Sequence, residues 1–539
     1  MPREVAAAAG RSGSSAAEVV AADLAGPSEA EDSAYYGLEL TGAADADANS
    51  SAVSAAARAS AAAAMATDVV NRFAAFGPMR LIAARVMEAA GAKARKTVEA
   101  LTPDQYPMAT QPSGEWEVVK AGHWMSGLFS GVLWQLYEHS GRKEQFWADK
   151  AQEWQAGLAG RQRESGSQHD FGFIYLPSFA HSYSVTGSPE DKRQALAAAE
   201  ALSWAFVPGS KSLRSFDGWK TPSSTDAYQQ IVIIDFMMNI QMLVWGARHV
   251  TSPALDLRMD PRPAETWLQM AKDHARQVAA NHVRPDGTTY HIVEYNPNTG
   301  SVNKKYTYQG YSDSSTWARG QAWAICGFAM LHNATGDHDF LETARKLTDK
   351  YLELLSAQPA KAARAVKAAG GAAAVAAAAA PPAPPRDALV PQWDFDAPWH
   401  PEMDGPRDTS AAAVAALGML YLAESEAAVG TAAAAGPQTI GPPAEAAAGE
   451  ARPDSQASRG AAARYLDAAA STLRALAAPK YLAPAGGAGS FPALLKHGTG
   501  GFPLRNHVDV GLISGDYYLL AALNKCLTMP ACVGHVGSA

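Results

Sequence analysis

Ala322-Trp-Ala-Ile-Cys-Gly-Phe-Ala-Met-Leu-His-Asn-Ala334 runs directly into Thr335-Gly336-Asp337, and a second apolar-periodic stretch follows over residues 340–355. In both stretches apolar side chains recur every three or four positions, the spacing that gathers them on one face of an α-helix. The Thr-Gly-Asp between them is a stop followed by a start: glycine can take the left-handed conformation that ends a helix, and a short polar side chain can open the next. The pair reads as one helical hairpin. The same spacing recurs at 131–137, 195–206, 231–250, 267–278, 411–423, 465–476 and 512–527, and strand signals between these runs are few and short. Turn formers separate the runs at His139-Ser140-Gly141, Thr186-Gly187-Ser188-Pro189 and Pro285-Asp286-Gly287. An all-α domain of paired helices is therefore expected over residues 66–530, with 531–539 as a tail.

Composition limits what such a domain can do. The chain has 539 residues, 47% hydrophobic and 18% charged, enough to bury a core. Lys+Arg 45 against Asp+Glu 53 gives a net charge of −8 without a basic block, which removes the electrostatic basis for binding nucleic acid or an anionic membrane. A mean hydropathy of −0.15 and the expected lack of any apolar run of about 18 residues rule out a membrane-spanning helix on this reading. Cys326, Cys526 and Cys532 are too few and too scattered for a disulfide framework or a zinc site, so reduced structural thiols are expected. The N-terminus, with Glu4, Glu18 and Asp23 and no leucine-rich core, does not read as a secretory signal; a cytoplasmic location is favoured, with organelle targeting open.

Residues 1–65 are Ala, Ser, Gly and acid with almost no large apolar side chains, the composition of a disordered leader. Residues 358–385, ending Pro381-Pro382-Ala383-Pro384-Pro385, and 427–460 look similar and are expected to be surface insertions that interrupt one domain.

Three clusters can carry chemistry. In Ile231-Val-Ile-Ile-Asp235-Phe-Met-Met-Asn239 a single carboxylate sits among apolar neighbours, where burial costs several kcal/mol unless it is hydrogen-bonded or protonated. Such a carboxyl suits general acid work. On one helix Asn239, four residues on, would share its face, so a buried Asp/Asn pair that merely holds a loop accounts for the same residues. Asp170 in His169-Asp170-Phe-Gly-Phe is a second candidate, or equally a helix cap. The third cluster comprises His291 and then Gln309-Gly-Tyr-Ser-Asp-Ser-Ser-Thr-Trp-Ala-Arg319-Gly-Gln-Ala-Trp323, where Arg319 and Trp323 would offer a carboxylate fork beside a stacking plane. The 13 tryptophans and 18 tyrosines suit a carbohydrate-stacking cleft, although aromatics at helical spacing also build ordinary cores.

Taken in order, His169-Asp170-Phe-Gly-Phe, Ile233-Ile-Asp235-Phe-Met-Met-Asn239, Gln309-Gly-Tyr with Ala318-Arg319-Gly-Gln-Ala-Trp323, Trp393-Asp-Phe-Asp396, Asp408-Thr-Ser-Ala and Gly515-Asp-Tyr-Tyr518 resemble the unsaturated glucuronyl hydrolases of glycoside hydrolase family 88. The resemblance implies an (α/α)6 barrel with the active site at one mouth. It also implies removal of a terminal 4,5-unsaturated uronic acid from lyase-generated oligosaccharides, with Asp235 as general acid and then base. Asp170 would support Asp235, and Arg319 would bind the uronate carboxylate. Trp323 and Trp124 would stack on the sugar, while His169, His291 and Gln309 would hydrogen-bond it. No metal or nucleotide cofactor is implied, and the expected partner is a disaccharide or short oligosaccharide. Phe129-Ser130 and Phe216 depart from the pattern at the stacking surface.

Three readings compete: the related family 105, which acts on unsaturated rhamnogalacturonan fragments, a noncatalytic carbohydrate-binding toroid, and an isomerase on the same barrel. In family members that prefer sulfated fragments a loop near the C-terminus supplies serines and a lysine to the sulfate. Here that loop reads His497-Gly-Thr-Gly-Gly501-Phe-Pro-Leu504-Arg505-Asn506-His507-Val-Asp509, with Gly501, Leu504 and Asn506 at those places, so unsulfated substrates are expected to be preferred.

Overall fold

The computed structural model describes residues 78–163, 169–216, 230–250, 263–368, 386–399, 405–435, 453–486 and 491–535. The expected leader at 1–65 lies outside the described residues, as do 369–385 and 436–452 within the two expected insertions.

Six inner helical segments alternate in sequence with six outer ones. The outer helix α1 (Met79–Ala100) is followed by a hairpin of β1 (Tyr106–Thr110) and β2 (Trp116–Val119), then by inner α2 (Leu128–His139) and outer α3 (Gln145–Ala156). The next inner element is composite: α4 (Phe171–Tyr175), a π turn over Leu176–Ala180 and α5 (His181–Thr186). Pro177 in the π turn supplies no N–H to the helical ladder, which accounts for the break. Outer α6 (Pro189–Ser203) follows after a turn in which Gly187 takes φ 73°, and the Ser188 side chain accepts from the Asp191 N–H, so both helix ends are satisfied locally.

Short strands β3 (Phe206–Val207) and β4 (Ser212–Leu213) precede β5 (Gln230–Ile233), which leads into the inner pair α7 (Phe236–Asn239) and α8 (Gln241–His249). Outer α9 (Pro263–Asn281), strands β6 (Ile292–Tyr295) and β7 (Val302–Tyr306), inner α10 (Ala318–Thr335) and outer α11 (His338–Ala368) come next. Inner α12 (Thr409–Ala435), outer α13 (Pro453–Leu476), inner α14 (Ile513–Leu527) and a last turn, α15 (Pro530–Val533), complete the chain. Neighbouring inner segments pack in sequence order and α14 packs back on α2, closing an (α/α)6 barrel. Two bonds between Thr110 and Gly511 (2.9 Å each) close the ring at one mouth, and Asn524 donating to the Gln135 carbonyl (2.9 Å) and side chain (2.7 Å) closes it at the other.

The founding hairpin, α10 and α11, forms as expected, with Gly336 at φ 69° and its N–H donating to the His332 carbonyl. Four expectations need correction. The run 231–250 is not one helix: Ile231, Val232 and Ile233 are β-branched, prefer an extended backbone and pair with Ile292–Glu294 before the chain turns into α7. The insertions are shorter than their composition suggests, because α11 continues through 358–368, α12 through 427–435, and α13 already begins at Pro453. The window Thr409–Thr431, with mean hydropathy 1.4, is long and apolar enough by itself to cross a membrane; its richness in alanine rather than leucine concealed this, and 72% of it is buried within the barrel. Finally, Cys526 and Cys532 form a disulfide between α14 and α15, while Cys326 is free and buried. The expectation of reduced thiols therefore holds for Cys326 and fails for Cys526 and Cys532, six residues apart, which the turn between α14 and α15 brings within bonding distance.

Gln358 shows why the composition of 358–368 misleads. It is buried, it donates to the Ala388 carbonyl (3.2 Å), and it accepts from the Gln392 N–H (2.6 Å), tying α11 to the segment that leads toward the active mouth. Gln358→Ala leaves two buried backbone groups unsatisfied and is expected to lower stability by about 1–3 kcal/mol. The change would be read as a shift in the urea midpoint at constant m-value.

Candidate active site

The inner helices enter the barrel at one mouth, and residues just before them or in their first turns supply its polar groups. Asp170 precedes α4 and Asp235 precedes α7. Gly172 lets these two entrances meet: a Cβ there would lie 2.5 Å from the Asn239 Cα. Asn239, fully buried, accepts from the Phe173 N–H (3.2 Å) and donates to Asp170 Oδ1 (3.4 Å). Its partner is thus Asp170, across the entrances, rather than Asp235 four residues earlier in its own segment.

Asp235 lies at the bend between β5 and α7. Its Oδ1 is buried without a hydrogen-bond partner. Burial pushes its carboxyl up to about 7, the charge of Asp170 pushes in the same direction, and the Arg319 guanidinium pulls against both. His291 is placed beside this bend because its carbonyl accepts from the Ile234 N–H (2.9 Å). The imidazole is buried against Trp317 (4.7 Å between ring centroids) and Tyr308 (5.2 Å), and Nδ1 is hydrogen-bonded to Thr307 Oγ1 (2.9 Å). Nε2 has no partner, and burial lowers the ring to about 3, so His291 is neutral. His169 is likewise held below its usual value by burial; Nε2 lies 3.3 Å from Asp170, and Phe216 packs edge-on at 4.5 Å.

Trp124 is half-buried, edge-on to Phe173 at 5.2 Å, which leaves part of its surface at the mouth. Gln309 Nε2 donates to the Gly500 carbonyl (3.3 Å). The loop that carries it is pinned by Asp394, which is fully buried and accepts from the Tyr311 N–H (2.9 Å) and Ser315 Oγ (2.7 Å).

Two residues do not sit as the sequence suggests. Arg319 is buried; it donates from Nη1 to Asp408 (2.5 Å) and the Thr499 carbonyl (2.7 Å), and from Nη2 to the Gly500 carbonyl (2.6 Å). Its fork is committed to the protein, so it positions the 499–500 loop instead of offering itself to a substrate carboxylate. Trp323 is fully buried, packed between Phe173 (5.1 Å) and Tyr518 (5.2 Å), and presents no face to a sugar. The helix begins at Ala318, so the shared face of residues 319 and 323 points into the core.

Sequence reasoning missed Tyr308 and His123, and it quoted Asp408 without its pairing to Arg319. Tyr308 feels the charges of both Asp235 and Asp170, and His123 those of Asp170, Glu117 and His507, which places both at this mouth. Their signal was proximity in sequence: Tyr308 adjoins Gln309 and His123 adjoins Trp124.

Asp170 and Asp235 thus stand with Trp124 and two buried imidazoles at one mouth of an (α/α)6 barrel. No protein-family model matches the chain. An unsaturated glucuronyl hydrolase of Formosa agariphila is 29% identical over 76% of this chain and 80% of its own length. A crystal structure of an unsaturated glucuronyl hydrolase specific for heparin superposes with a TM-score of 0.61 at 27% identity, covering 82% of this chain and 96% of that one. The enzyme of Bacillus sp. GL1, responsible for degradation of glycosaminoglycan, gives 0.61 at 25% identity, with 83% and 96% covered. In sequence and in fold the chain is similar to the unsaturated glucuronyl hydrolases, and it is a hydrolase of glycosyl bonds.

The buried carboxyls and imidazoles oppose one another in pH dependence. Asp235 and Asp516 are both raised from 3.8 to about 7, so the stability they permit is full below pH 4 and is lost as pH rises through 7. His274, His282 and His291 are lowered from 6.5 to about 3, so theirs is full above 6.5 and is lost as pH falls toward 3. Asp235→Asn removes one carboxyl, and the corresponding gain above pH 7 is roughly 4 kcal/mol at most. The variant is expected to melt higher than the parent at pH 8 and at the same temperature at pH 4, as read by calorimetry.

Proposed function

We propose that the protein removes the terminal 4,5-unsaturated uronic acid of lyase-generated oligosaccharides by protonating C4 and hydrating C5. The observation that carries the reading is Asp235: an unpaired, buried Oδ1 at the cleft end of β5, on a carboxyl raised to about 7 and therefore half protonated near neutral pH. The C4=C5 bond of such a sugar is a vinyl ether to the ring oxygen. Asp235 gives its proton to C4, and positive charge develops over C5 and the ring oxygen. The carboxylate left behind then accepts a proton from water as the water oxygen bonds to C5. The resulting hemiketal opens to a ketone at C5 and a hemiacetal at C1, which expels the remaining sugar as its alcohol. No nucleophile attacks C1, so a second carboxylate at a retaining or inverting spacing is not required.

Asp170 supports this step by position. Held by Asn239 and His169, it meets the substrate hydroxyls and raises the proton affinity of Asp235. Trp124 stacks on the sugar. Neutral His291, with Nε2 unpartnered, and Gln309 hydrogen-bond it. Asp235→Asn is expected to cut kcat by about 10²–10⁴-fold, and kcat/KM of the parent is expected to fall as pH rises above about 7, where the acid is ionised. Loss of the double bond's ultraviolet absorbance with an unsaturated disaccharide measures both. A saturated aryl glucuronide cleaved at a comparable rate would place the chemistry at C1 and end the reading.

The 497–509 loop supports a preference for unsulfated substrates. His507 is held by Glu117 (2.8 Å) and His497 by Asp509 (2.6 Å), so each imidazole faces a carboxylate that would repel a sulfate. Arg505 is exposed at a left-handed turn, φ 49°. kcat/KM on the unsulfated chondroitin disaccharide is expected to exceed that on the 6-sulfated one; the reverse order, abolished by Arg505→Ala, would make that arginine a sulfate ligand.

A further inference from the structure

The barrel axis is closed by a layer of rings. Trp323 packs between Phe173 and Tyr518, and Tyr518 packs edge-on to Tyr517 at 5.0 Å. Trp124 and the catalytic carboxyls lie on one side of this layer. On the other side the later turns of the inner helices enclose a cavity of about 290 Å³, which the proposed chemistry does not use. Phe173 and Tyr518 form its floor, Gln135, Gln241, Tyr421 and Lys525 stand in its wall, and exposed Thr528 marks its outer rim.

We propose that this cavity is a second binding site, which takes one neutral, hydroxylated ring of monosaccharide size. The volume lies at the lower edge of the range for small-molecule sites, room for a single ring. The lining joins tyrosine rings to amide side chains, the pairing of apolar faces with directed hydrogen bonds that a sugar ring requires.

Gln241 is the specific anchor. It is 5% exposed, and its Nε2 donates to the Met237 and Gly327 carbonyls (3.1 Å each). Its Oε1 takes no partner from the described residues and is left at the cavity wall to accept a hydroxyl. The atom is not among the fully buried unpartnered ones, so it is open to the cavity and available to a hydroxyl donor there.

The charges in the wall are already met. Glu138 pairs with His181 (3.0 Å) and Lys525 with Glu424 (2.7 Å), so an ionic ligand would find no unanswered counter-charge and a neutral one loses nothing by comparison. An occupant would touch Gly172 and Phe173, which line the cavity, and the Phe173 N–H donates to Asn239, the partner of Asp170.

Calorimetric titration of the full chain with D-glucose, and separately with D-glucuronate, tests the site without reference to turnover, so failure of the catalytic reading would leave the result interpretable. Saturable binding of glucose, at least tenfold weaker for glucuronate, is expected. It should persist in Trp124→Ala, which alters the front mouth, and weaken at least tenfold in Ala521→Phe, which fills the cavity from partly exposed Ala521. Should Ala521→Phe fail to fold, Gln241→Met keeps the bulk, removes the acceptor, and is expected to show the same loss. Absence of saturable binding, equal binding of glucuronate, or binding lost in Trp124→Ala and kept in both cavity variants would each overturn the proposal.

Discussion

The buried pair of Arg319 and Asp408 is the contact on which the active mouth is built. Taking both charges out of water is expensive, and the arrangement is tolerable only because nearly every hydrogen-bonding group is answered. Asp408 Oδ1 accepts from Ser410 Oγ (2.6 Å) and from the Ser410 (3.1 Å) and Ala411 (3.4 Å) N–H groups, while Arg319 spends its remaining reach on the Thr499 and Gly500 carbonyls. One guanidinium therefore fixes the entrances of α10 and α12 and the loop between residues 497 and 509 together. Gln309 donates to the same Gly500 carbonyl, so its side chain is positioned by a loop that Arg319 has already fixed. The same cation also restrains the proton affinity of Asp235 against burial and Asp170. Without that restraint the carboxyl would hold its proton more tightly, against the first half of the proposed reaction, in which it must give that proton up.

This arrangement explains why the site is costly to stability in a graded way. A carboxyl raised to about 7 is half ionised at neutral pH, so the fold bears part of the cost of an unpaired buried charge under the conditions in which the acid is useful. The surrounding aromatic layer makes that possible by excluding water, and the three-stranded sheet makes it precise. With Ile233 opposite Ile292 and Ile292 opposite Tyr306, the bend carrying Asp235, the strand following His291 and the strand leading to Tyr308 are held in one register.

Much of the barrel was legible because helices announce themselves over a dozen residues and their glycine-centred turns are local. The carboxyls were legible for a related reason: Asp235 stands alone in an apolar run, and such a residue is either protonated, paired or misplaced. What escaped depended on partners distant in sequence. Nothing near Arg319 reveals that Asp408 and the 499–500 carbonyls, roughly 90 and 180 positions away, will use up its donors. Trp323 looked available because helical spacing gives a face but not which face meets solvent. Residues 231–233 were read with the wrong period, since a short apolar run fits strand and buried helix alike until its pairing partner is known. Alanine-rich 358–368 and 427–435 were assigned to insertions on composition, yet helix propensity and a single buried glutamine suffice to extend a packed helix.

Three aspartates stand at inner-helix entrances, and their environments divide the roles among them. Asp408 heads a helix of 27 residues, accepts its first-turn N–H groups and faces a guanidinium, so its charge is answered on every side. Asp170 heads a five-residue helix and meets an amide and a neutral imidazole, which orient it without neutralising it. Asp235 heads only four residues, too few for a substantial helix dipole, and its buried oxygen accepts nothing. Desolvation consequently dominates at Asp235, as it does at Asp516 in the first turn of α14. The three carboxyls thus differ in the hydrogen bonds and charges each receives, and in the proposed reaction that difference makes one an anchor, one an orienter and one the acid.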